Sequence, residues 1–284
     1  MMKKIPITTL SAAGFTARIV FAAAFATSAH AATLWTPTEI STSAWYDASD
    51  ASTITTISGG NVTNWNDKSG NGVHLVQTID SDRPSVVTSG INGLNVLQFG
   101  SRTEQMDAIL NIDAKWAAVV LQYNGTPGFA TALGSISQAG GATYTIQYRG
   151  DQTTTPTGDR WQAAYSTNGN PASTSGASVI LNSPGVVINS GFTLTDFDLQ
   201  VGGDRGLNNR GWDGYIAEVI YGNQTLDTEL QETVEGYLAH KWGFEDSLVD
   251  GHSFKLEAPT VIPEPSSAAL LGGLGTLLLM RRRR

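Results

Sequence analysis

The chain has 284 residues, of which 40% are hydrophobic, 15% charged and 8% aromatic, with 31 glycines and no cysteine. Soluble domains usually carry about 25% charged residues, so this composition excludes a coiled coil or a long helical bundle. The absence of cysteine excludes disulfide frameworks and cysteine-based metal sites. The formal net charge of −8 disfavours nucleic acid as a partner, because nucleic-acid binding needs a basic surface.

The N-terminus has the three parts of a secretory signal peptide. Lys3 and Lys4 form a basic segment, and residues 10–26 are apolar and rich in alanine. Ala29 and Ala31 form an A-x-A cleavage site in front of Ala32. This order predicts export of the chain.

The C-terminal residues also form three parts. A Pro-Glu-Pro turn segment comes first, then residues 267–280 are apolar and uncharged, and four arginines follow. As a helix, the apolar segment measures roughly 20 Å, which is short for a bilayer core of about 30 Å. The arginines belong on the cytoplasmic side, so the preceding domain is expected to face away from the cytoplasm.

This tail resembles the PEP-CTERM sorting signal of Gram-negative bacteria. The resemblance implies processing by an exosortase, a transient stay in the inner membrane, and an association with exopolysaccharide and biofilm. An ordinary single-span anchor is the alternative. The sorting residues are Pro263, Glu264, Pro265, Arg281, Arg282, Arg283 and Arg284.

The pattern of the region between the two ends predicts a mostly β-stranded domain with one helix near its C-terminal end. Without the ends it carries 10 basic and 24 acidic side chains, a balance of −14 that disfavours anionic lipid and nucleic acid. Short alternating or β-branched runs broken by Gly, Asn, Asp and Pro predict strands, and residues 151–190 are expected to hold long loops. The predicted strands are residues 44–47, 94–99, 117–123, 130–136, 143–148, 161–165, 186–189, 197–201 and 215–221.

One amphipathic helix is predicted near the C-terminus of this region. Leu226, Leu230, Val234 and Leu238 recur every four residues, which is the spacing of one helix face. An aspartate at position 227 is placed to cap its first turn, and a glycine at position 243 is placed to end it. We expect this helix to pack on the strands.

Two segments resemble LamG-like domains of the concanavalin A-like lectin/glucanase superfamily. Residues 65–72 read Trp-Asn-Asp-Lys-Ser-Gly-Asn-Gly, and residues 211–221 read Gly-Trp-Asp-Gly-Tyr-Ile-Ala-Glu-Val-Ile-Tyr, with the ending Glu-Gly-Tyr-Leu-Ala-His-Lys-Trp-Gly at 235–243. The resemblance implies an all-β fold, a two-sheet antiparallel jelly-roll sandwich with one C-terminal amphipathic helix. It does not choose a function. The predicted parts are a signal peptide (1–31), a LamG-like domain (32–257), a linker (258–262) and the sorting tail (263–284).

Sugar binding is the first functional hypothesis for this domain. Sugars dock on exposed aromatic rings, with Asn, Asp and Arg bonding to their hydroxyl groups. Each aromatic residue has an alternative role in the core, and Trp161 is expected to be the most exposed. The candidates are Arg160, Trp161, Tyr165, Arg210 and Trp212.

Calcium is the only cofactor that the residues suggest. Asp67, Ser69 and Asn71 alternate in a glycine-flanked turn, and Asp204 and Asp213 are further loop carboxylates. Ca²⁺ needs six to eight oxygen ligands. The favoured alternative is an Asx turn in which Asp67 binds its own backbone.

No catalytic constellation is found. The nearest carboxylate pairs, Asp196 with Asp198 and Asp213 with Glu218, lack the third carboxylate of the E-x-D-x-E run that jelly-roll glucanases use, and the histidines have no metal or triad spacing. The expected function is therefore a non-enzymatic surface or matrix protein that adheres to exopolysaccharide or to another surface protein. The alternatives are a structural matrix protein without soluble ligand and a polysaccharide hydrolase or lyase.

Overall fold

Short β-branched and aromatic runs form the regular structure of this chain. A computed structural model describes residues 33–125, 129–137, 146–149, 164–173, 183–205 and 209–261, which belong to one compact unit. The strands are β1 (Thr33–Leu34), β2 (Thr42–Asp47), β3 (Ile54–Thr56), β4 (Val62–Trp65), β5 (Leu75–Val76), β6 (Ser85–Ile91), β7 (Leu94–Phe99), β8 (Met106–Ala108), β9 (Ile112–Tyr123), β10 (Phe129–Ser135), β11 (Ile146–Arg149), β12 (Ala164–Thr167), β13 (Asn170–Ser173), β14 (Gly185–Phe197), β15 (Leu199–Val201), β16 (Gly214–Gly222) and β17 (Thr260–Val261).

The strands form two large antiparallel sheets and one small pair. One sheet has the order β11-β10-β15-β8-β5-β4-β3, and the other has the order β13-β12-β14-β9-β16-β7-β6, with β2 also paired to β16. The short strands β1 and β17 pair with each other near the ends of the described chain. This architecture confirms the predicted all-β antiparallel sandwich.

The main core lies between the two sheets. It draws apolar side chains from both sheets, among them Trp65 and Met106 from one and Phe99 and Tyr123 from the other, all without solvent exposure. Burial of each such side chain contributes about 1.5–3 kcal/mol of hydrophobic free energy. The alternation of side chains along the strands thus turns one face of each sheet into this core.

The predicted helix is present as α1 (Thr228–Trp242) and packs on the outer face of the larger sheet. Val234, Leu238 and Trp242 are buried there against that sheet. Asp227 accepts a hydrogen bond from the Leu230 amide at 2.9 Å, and Gly243 ends the helix in the left-handed conformation, with φ of 73°. Both predicted caps are confirmed.

A bulge in β16 corrects the expected alternation of this strand. Perfect alternation would place Ile216, Glu218 and Ile220 on one face. The register shifts between Ile216 and Glu218, so Ile216 packs between the sheets while Glu218 and Ile220 lie under the helix. One extra residue in a bulge changes the face of every residue before it.

In the described part of residues 151–190, the predicted strands at 161–165 and 186–189 overlap β12 and β14, whereas β13 lies where a loop was expected. That region contains β12, β13 and the start of β14, which pair as antiparallel neighbours. The Asn, Ser and Pro residues of β13 hide this strand, because a polar strand at a sheet edge lacks the apolar alternation that marks buried ones.

Several predicted features lie outside the described residues. They include the signal peptide with Ala29, Ala31 and Ala32, the side chains of Arg160 and Trp161, and the whole sorting tail. Within the described ranges, no helix has both the length and the apolarity to cross a membrane.

Candidate functional site

A polar groove of about 460 Å³ opens at one end of the sandwich, where β2 and β9 begin and β14 and β16 end. Five separate segments of the chain meet there. Three asparagines and two aspartates supply most of the polar groups. The lining residues are Ser41, Thr42, Ser43, Asn71, Val73, Leu110, Asn111, Ile112, Asp113, Asp196 and Asn223.

Hydrogen bonds between these segments hold the groove in shape. The Asn111 side chain donates to Asp196 Oδ1 at 3.1 Å, and the Asp196 amide donates to Asp113 Oδ1 at 2.9 Å. On the opposite wall, Asn71 Nδ2 donates to the Thr42 carbonyl oxygen at 2.8 Å, and the Asn223 amide donates to the carbonyl oxygen of Ser41 at 3.0 Å. The polar rim is therefore an ordered surface.

Part of the polar capacity of the groove faces solvent. Asp113, Asp196 and Asn223 are exposed, and no described residue forms a hydrogen bond with the Asn223 side chain. No Lys, Arg or His within the described ranges forms an ion pair with Asp113 or Asp196. Leu110, which is 51% exposed, adds an apolar patch at the rim. Such a surface offers acceptors and donors to a hydroxyl-rich ligand.

The turn between β4 and β5 places Asn71 at this rim. Asp67 Oδ1 accepts hydrogen bonds from the amides of Trp45 and Ser69, at 2.9 and 2.8 Å. Its Oδ2 accepts bonds from the Ser69 hydroxyl and the Val73 amide, at 2.7 and 3.2 Å. The favoured interpretation of this segment, an Asx turn, matches this geometry.

The same geometry does not fit calcium at Asp67. All acceptor positions of its carboxylate receive N–H or O–H donors, which a cation would have to displace. Asn71 and Ser69 supply only weak neutral oxygens beside it. Within the described ranges, no three His, Asp or Glu side chains form a group suited to a metal ion.

The other proposed calcium ligands lie at the far end of β9, a strand of 12 residues that spans roughly 35 Å. Asp204 is fully buried and is bonded to Arg205 at 2.8 and 3.0 Å, with Arg210 at 3.6 Å. Asp213 lies 3.8 Å from Arg102. Guanidinium groups already neutralise both carboxylates, so the proposed five-residue calcium set is wrong as one site.

The sugar-binding candidates are not brought together at the groove. Trp212 is fully buried in the inter-sheet core, where its Nε1 donates to the Tyr215 carbonyl oxygen at 3.1 Å, so its proposed stacking role is wrong. Arg210 is 39% exposed and lies beside Asp204 at the opposite end. Tyr165 belongs to β12, and Arg160 and Trp161 lie outside the described residues.

The carboxylate pairs weighed for catalysis are also separated. Asp196 lies in the groove, whereas Asp198 accepts hydrogen bonds from the Ser135 hydroxyl and the Ser137 amide. Burial alone would raise the pKa of Asp198, but these hydrogen bonds outweigh it and lower the pKa. The pair that does face the groove, Asp113 with Asp196, was not found from sequence because 83 positions separate it.

A second polar cluster, buried beneath α1, was also missed. Glu218 is fully buried and accepts bonds from Trp45 Nε1, Lys241 Nζ and Trp242 Nε1, each at 2.7 Å. Burial raises its pKa, although Lys241 opposes that effect. Asp47, its cross-strand partner on β2, lies 2.8 Å from Lys241 Nζ and 2.9 Å from the other lysine of the cluster, at position 68.

These two ammonium groups determine the protonation of Asp47. Burial alone would raise the pKa of Asp47, but the charge of Lys241 and hydrogen bonds from Lys241, Ser49 and Lys68 reverse this effect and lower the pKa. Burial would likewise lower the pKa of Lys68, yet its bonds to Asp47 and Asp50 raise it. In this network, the two lysines therefore balance the buried carboxylates between the sheet and the helix.

Comparison with known proteins gives little on function. No protein-family profile matches the chain, and no curated protein matches it either. Among solved structures, a Trypanosoma rangeli sialidase in complex with 2,3-difluoro-KDN is similar with a TM-score of 0.38 and 14% identity. The match covers 71% of this chain but 33% of the sialidase chain, so this chain spans about a third of that protein.

Proposed function

We propose that this chain is an exported, non-catalytic binding module whose groove holds a neutral glycan, such as a segment of exopolysaccharide, by hydrogen bonds. The observation that carries this proposal is the ordered polar groove at the β2/β9 end of the sandwich. Its amide, carboxylate and hydroxyl groups match the repeated hydroxyl groups of a sugar chain.

The solvent exposure of the groove carboxylates supports binding rather than hydrolysis. Its carboxylates, Asp113 and Asp196, are both exposed to solvent. A glycosidase needs one carboxyl kept protonated by burial near neutral pH. The apolar contact that sugar rings usually find on aromatic side chains comes here from Leu110, at the rim.

Binding is tested with the full chain on a panel of neutral, acidic and amino-sugar oligosaccharides and on the host's own exopolysaccharide. Asn223→Ala removes a side chain without a hydrogen bond to the described residues, so stability should be kept. Asp113→Asn is matched by Asp246→Asn, which changes the same charge at an exposed position outside the groove. We expect about two- to tenfold weaker binding for each groove variant, since a neutral hydrogen bond contributes about 0.5–1.5 kcal/mol, and no change for the control.

The outcomes separate the three classes of function. Saturable binding that the groove variants weaken supports the proposal. A folded chain that binds no glycan on the panel contradicts it and leaves a structural matrix role. Release of reducing ends, abolished by Asp113→Asn, would establish a hydrolase in its place.

We also propose that the C-terminal residues act as an exosortase sorting signal that leads the domain through the inner membrane to the cell surface or matrix. The support is the order of the Pro-Glu-Pro motif, the apolar segment and the arginine block. Replacing Pro263, Glu264 and Pro265 by alanine should stop removal of the tail in the host. Normal processing of that variant would contradict the assignment.

A further inference from the structure

Three charged side chains beneath α1 meet in a largely buried position. Lys241 Nζ lies 2.8 Å from Asp47 Oδ2 and 2.7 Å from Glu218 Oε2. The side chain of Asp47 is 5% exposed, that of Glu218 is unexposed, and that of Lys241 is 20% exposed. An amine, a carboxyl group to be attacked and a second carboxylate to carry protons are therefore in direct contact.

The two oxygens of Asp47 have different partners. Oδ1 accepts bonds from the Ser49 amide and hydroxyl, at 3.1 and 2.6 Å. Oδ2 faces both ammonium groups, Lys241 and Lys68. Two neutral donors on Oδ1 are suited to hold the negative charge of a tetrahedral intermediate, and the ammonium group of Lys68 on Oδ2 is suited to stabilise the leaving oxygen.

Glu218 is held so that one of its oxygens faces the amine. The indole N–H of Trp45 and the Tyr237 hydroxyl donate to Oε1, at 2.7 and 2.9 Å. Trp242 Nε1 shares Oε2 with Lys241. A buried carboxylate with fixed orientation beside an amine can accept its proton, because the neutral forms of both groups cost less in an apolar environment than separated charges do.

We propose that Lys241 and Asp47 form an intramolecular isopeptide bond, with Glu218 as the proton-transferring residue. Lys241 Nζ gives one proton to Glu218 and attacks Cγ of Asp47, and the newly bound nitrogen then passes a second proton to Oδ2, which it faces. The C–N bond forms, the Cγ–Oδ2 bond breaks, and the proton on Glu218 returns to the departing oxygen, which leaves as water. The ammonium and carboxylate become an amide and one water, with no change in oxidation state.

The geometry selects Lys241 over Lys68 as the nucleophile. Lys68 is shared between Asp47 and the more exposed Asp50, each at 2.9 Å, and forms no ion pair with Glu218. Only Lys241 touches a buried carboxylate that can take up its proton and return it. Holding the reacting groups in contact replaces a bimolecular condensation by an intramolecular one.

The bond would supply a covalent constraint that this chain cannot obtain from disulfides. It would join β2, near the start of the domain, to α1, near its end. The chain contains no cysteine. An amide cross-link is insensitive to redox conditions, which suits a protein exposed at a surface.

Peptide mapping of the full wild-type chain tests the bond directly. In a tryptic digest, an unlinked chain is cut after Lys68, Arg210, Lys241 and Lys255. With the bond, cleavage after Lys241 fails, and residues 211–255 stay attached to the peptide that ends at Lys68, with a mass lower by one water than the sum of the two peptides. We expect this cross-linked species in most of the wild-type chain.

Three variants assign the roles. Lys241→Arg should abolish the species, whereas the matched control Lys68→Arg should retain it. Glu218→Gln, confirmed as folded by circular dichroism, should remain unlinked. Linear peptides alone from the wild-type chain, which need no variant to fold, would overturn the proposal, as would a cross-link through Lys68. A folded and fully linked Glu218→Gln chain would overturn the role of Glu218.

Discussion

At the scale of single residues, Asp67 shows how one carboxylate organises a functional loop. Its four hydrogen bonds join β2 to the turn that carries Asn71 into the groove. The sequence predicts this turn because aspartate followed by Ser-Gly-Asn-Gly has a local partner for each oxygen. Calcium was the alternative, and the filled acceptor positions of Asp67 argue against it.

We predict that Asp67→Ala lowers the free energy of unfolding by about 1–3 kcal/mol, since it leaves part-buried amides of Trp45 and Val73 without acceptors. Urea denaturation measures this change in the free energy of unfolding.

The wild-type chain should melt at the same temperature in EDTA as in excess Ca²⁺. A clear rise of the melting temperature with Ca²⁺ that is absent in Asp67→Ala would instead support a calcium site at Asp67.

Trp212 is a residue whose role the sequence alone does not reveal. Its neighbours in the chain are glycine and aspartate, which suggest a loop. The structure turns the ring inward against Tyr123, with ring centroids 5.1 Å apart. Only the tertiary packing distinguishes an exposed from a buried tryptophan in such a segment.

For Trp212→Ala we expect a loss of about 3–5 kcal/mol in unfolding free energy, the usual cost of emptying a large buried site. Chemical denaturation followed by circular dichroism measures this difference in unfolding free energy. Unchanged stability together with lost glycan binding would mean that Trp212 contacts ligand after all.

At the scale of elements, α1 could be predicted closely, because its apolar spacing and both caps are local signals. Strand β16 and parts of β9 and β14 were also predicted, since they are rich in β-branched and aromatic residues. The two-residue strand β5 and the polar strand β13 were not predicted, and the bulge in β16 reversed the expected face of Ile216. The groove escaped prediction entirely, because its walls come from five segments that only the sheet topology brings together.

The cap of α1 gives a prediction at this scale. Asp227→Ala should lower the unfolding free energy by about 1 kcal/mol, because the Leu230 amide loses its acceptor. Asp246→Ala, an exposed aspartate beyond the helix, serves as the control and should stay within about 0.5 kcal/mol of wild type. Equal stability of both variants would show that the cap contributes nothing.

At the scale of the whole molecule, the domain combines a strongly acidic surface with a small set of well-paired carboxylates. Hydrogen bonds from Ser52, and then from Lys68, lower the pKa of Asp50 to about 2. Burial instead raises the pKa of Glu104 and Asp107. A carboxyl group whose pKa is lowered by folding stabilises the fold above its unfolded pKa. A carboxyl group whose pKa is raised by folding makes the fold less stable as the pH rises.

The lowered pKa of Asp50 therefore makes the free energy of unfolding decrease in acid. Its folded pKa lies below the model-compound value of 3.8, so its pairing is fully present above that value and is lost as the pH falls towards about 2. Asp50 is partly exposed, which limits the effect to about 1 kcal/mol or less. Urea denaturation of wild type and Asp50→Asn across this window should show a smaller acid-dependent loss in the variant, and parallel curves would contradict the assignment.

NMR of the isotopically labelled chain with a bound glycan shows directly whether the groove is the binding site. With an oligosaccharide that binds saturably, we expect chemical-shift changes in the side-chain amides of Asn71, Asn111 and Asn223 and little change at the far end of β9, near Arg210. Shifts centred on Arg210, with the three asparagines unaffected, would contradict a binding site in the groove.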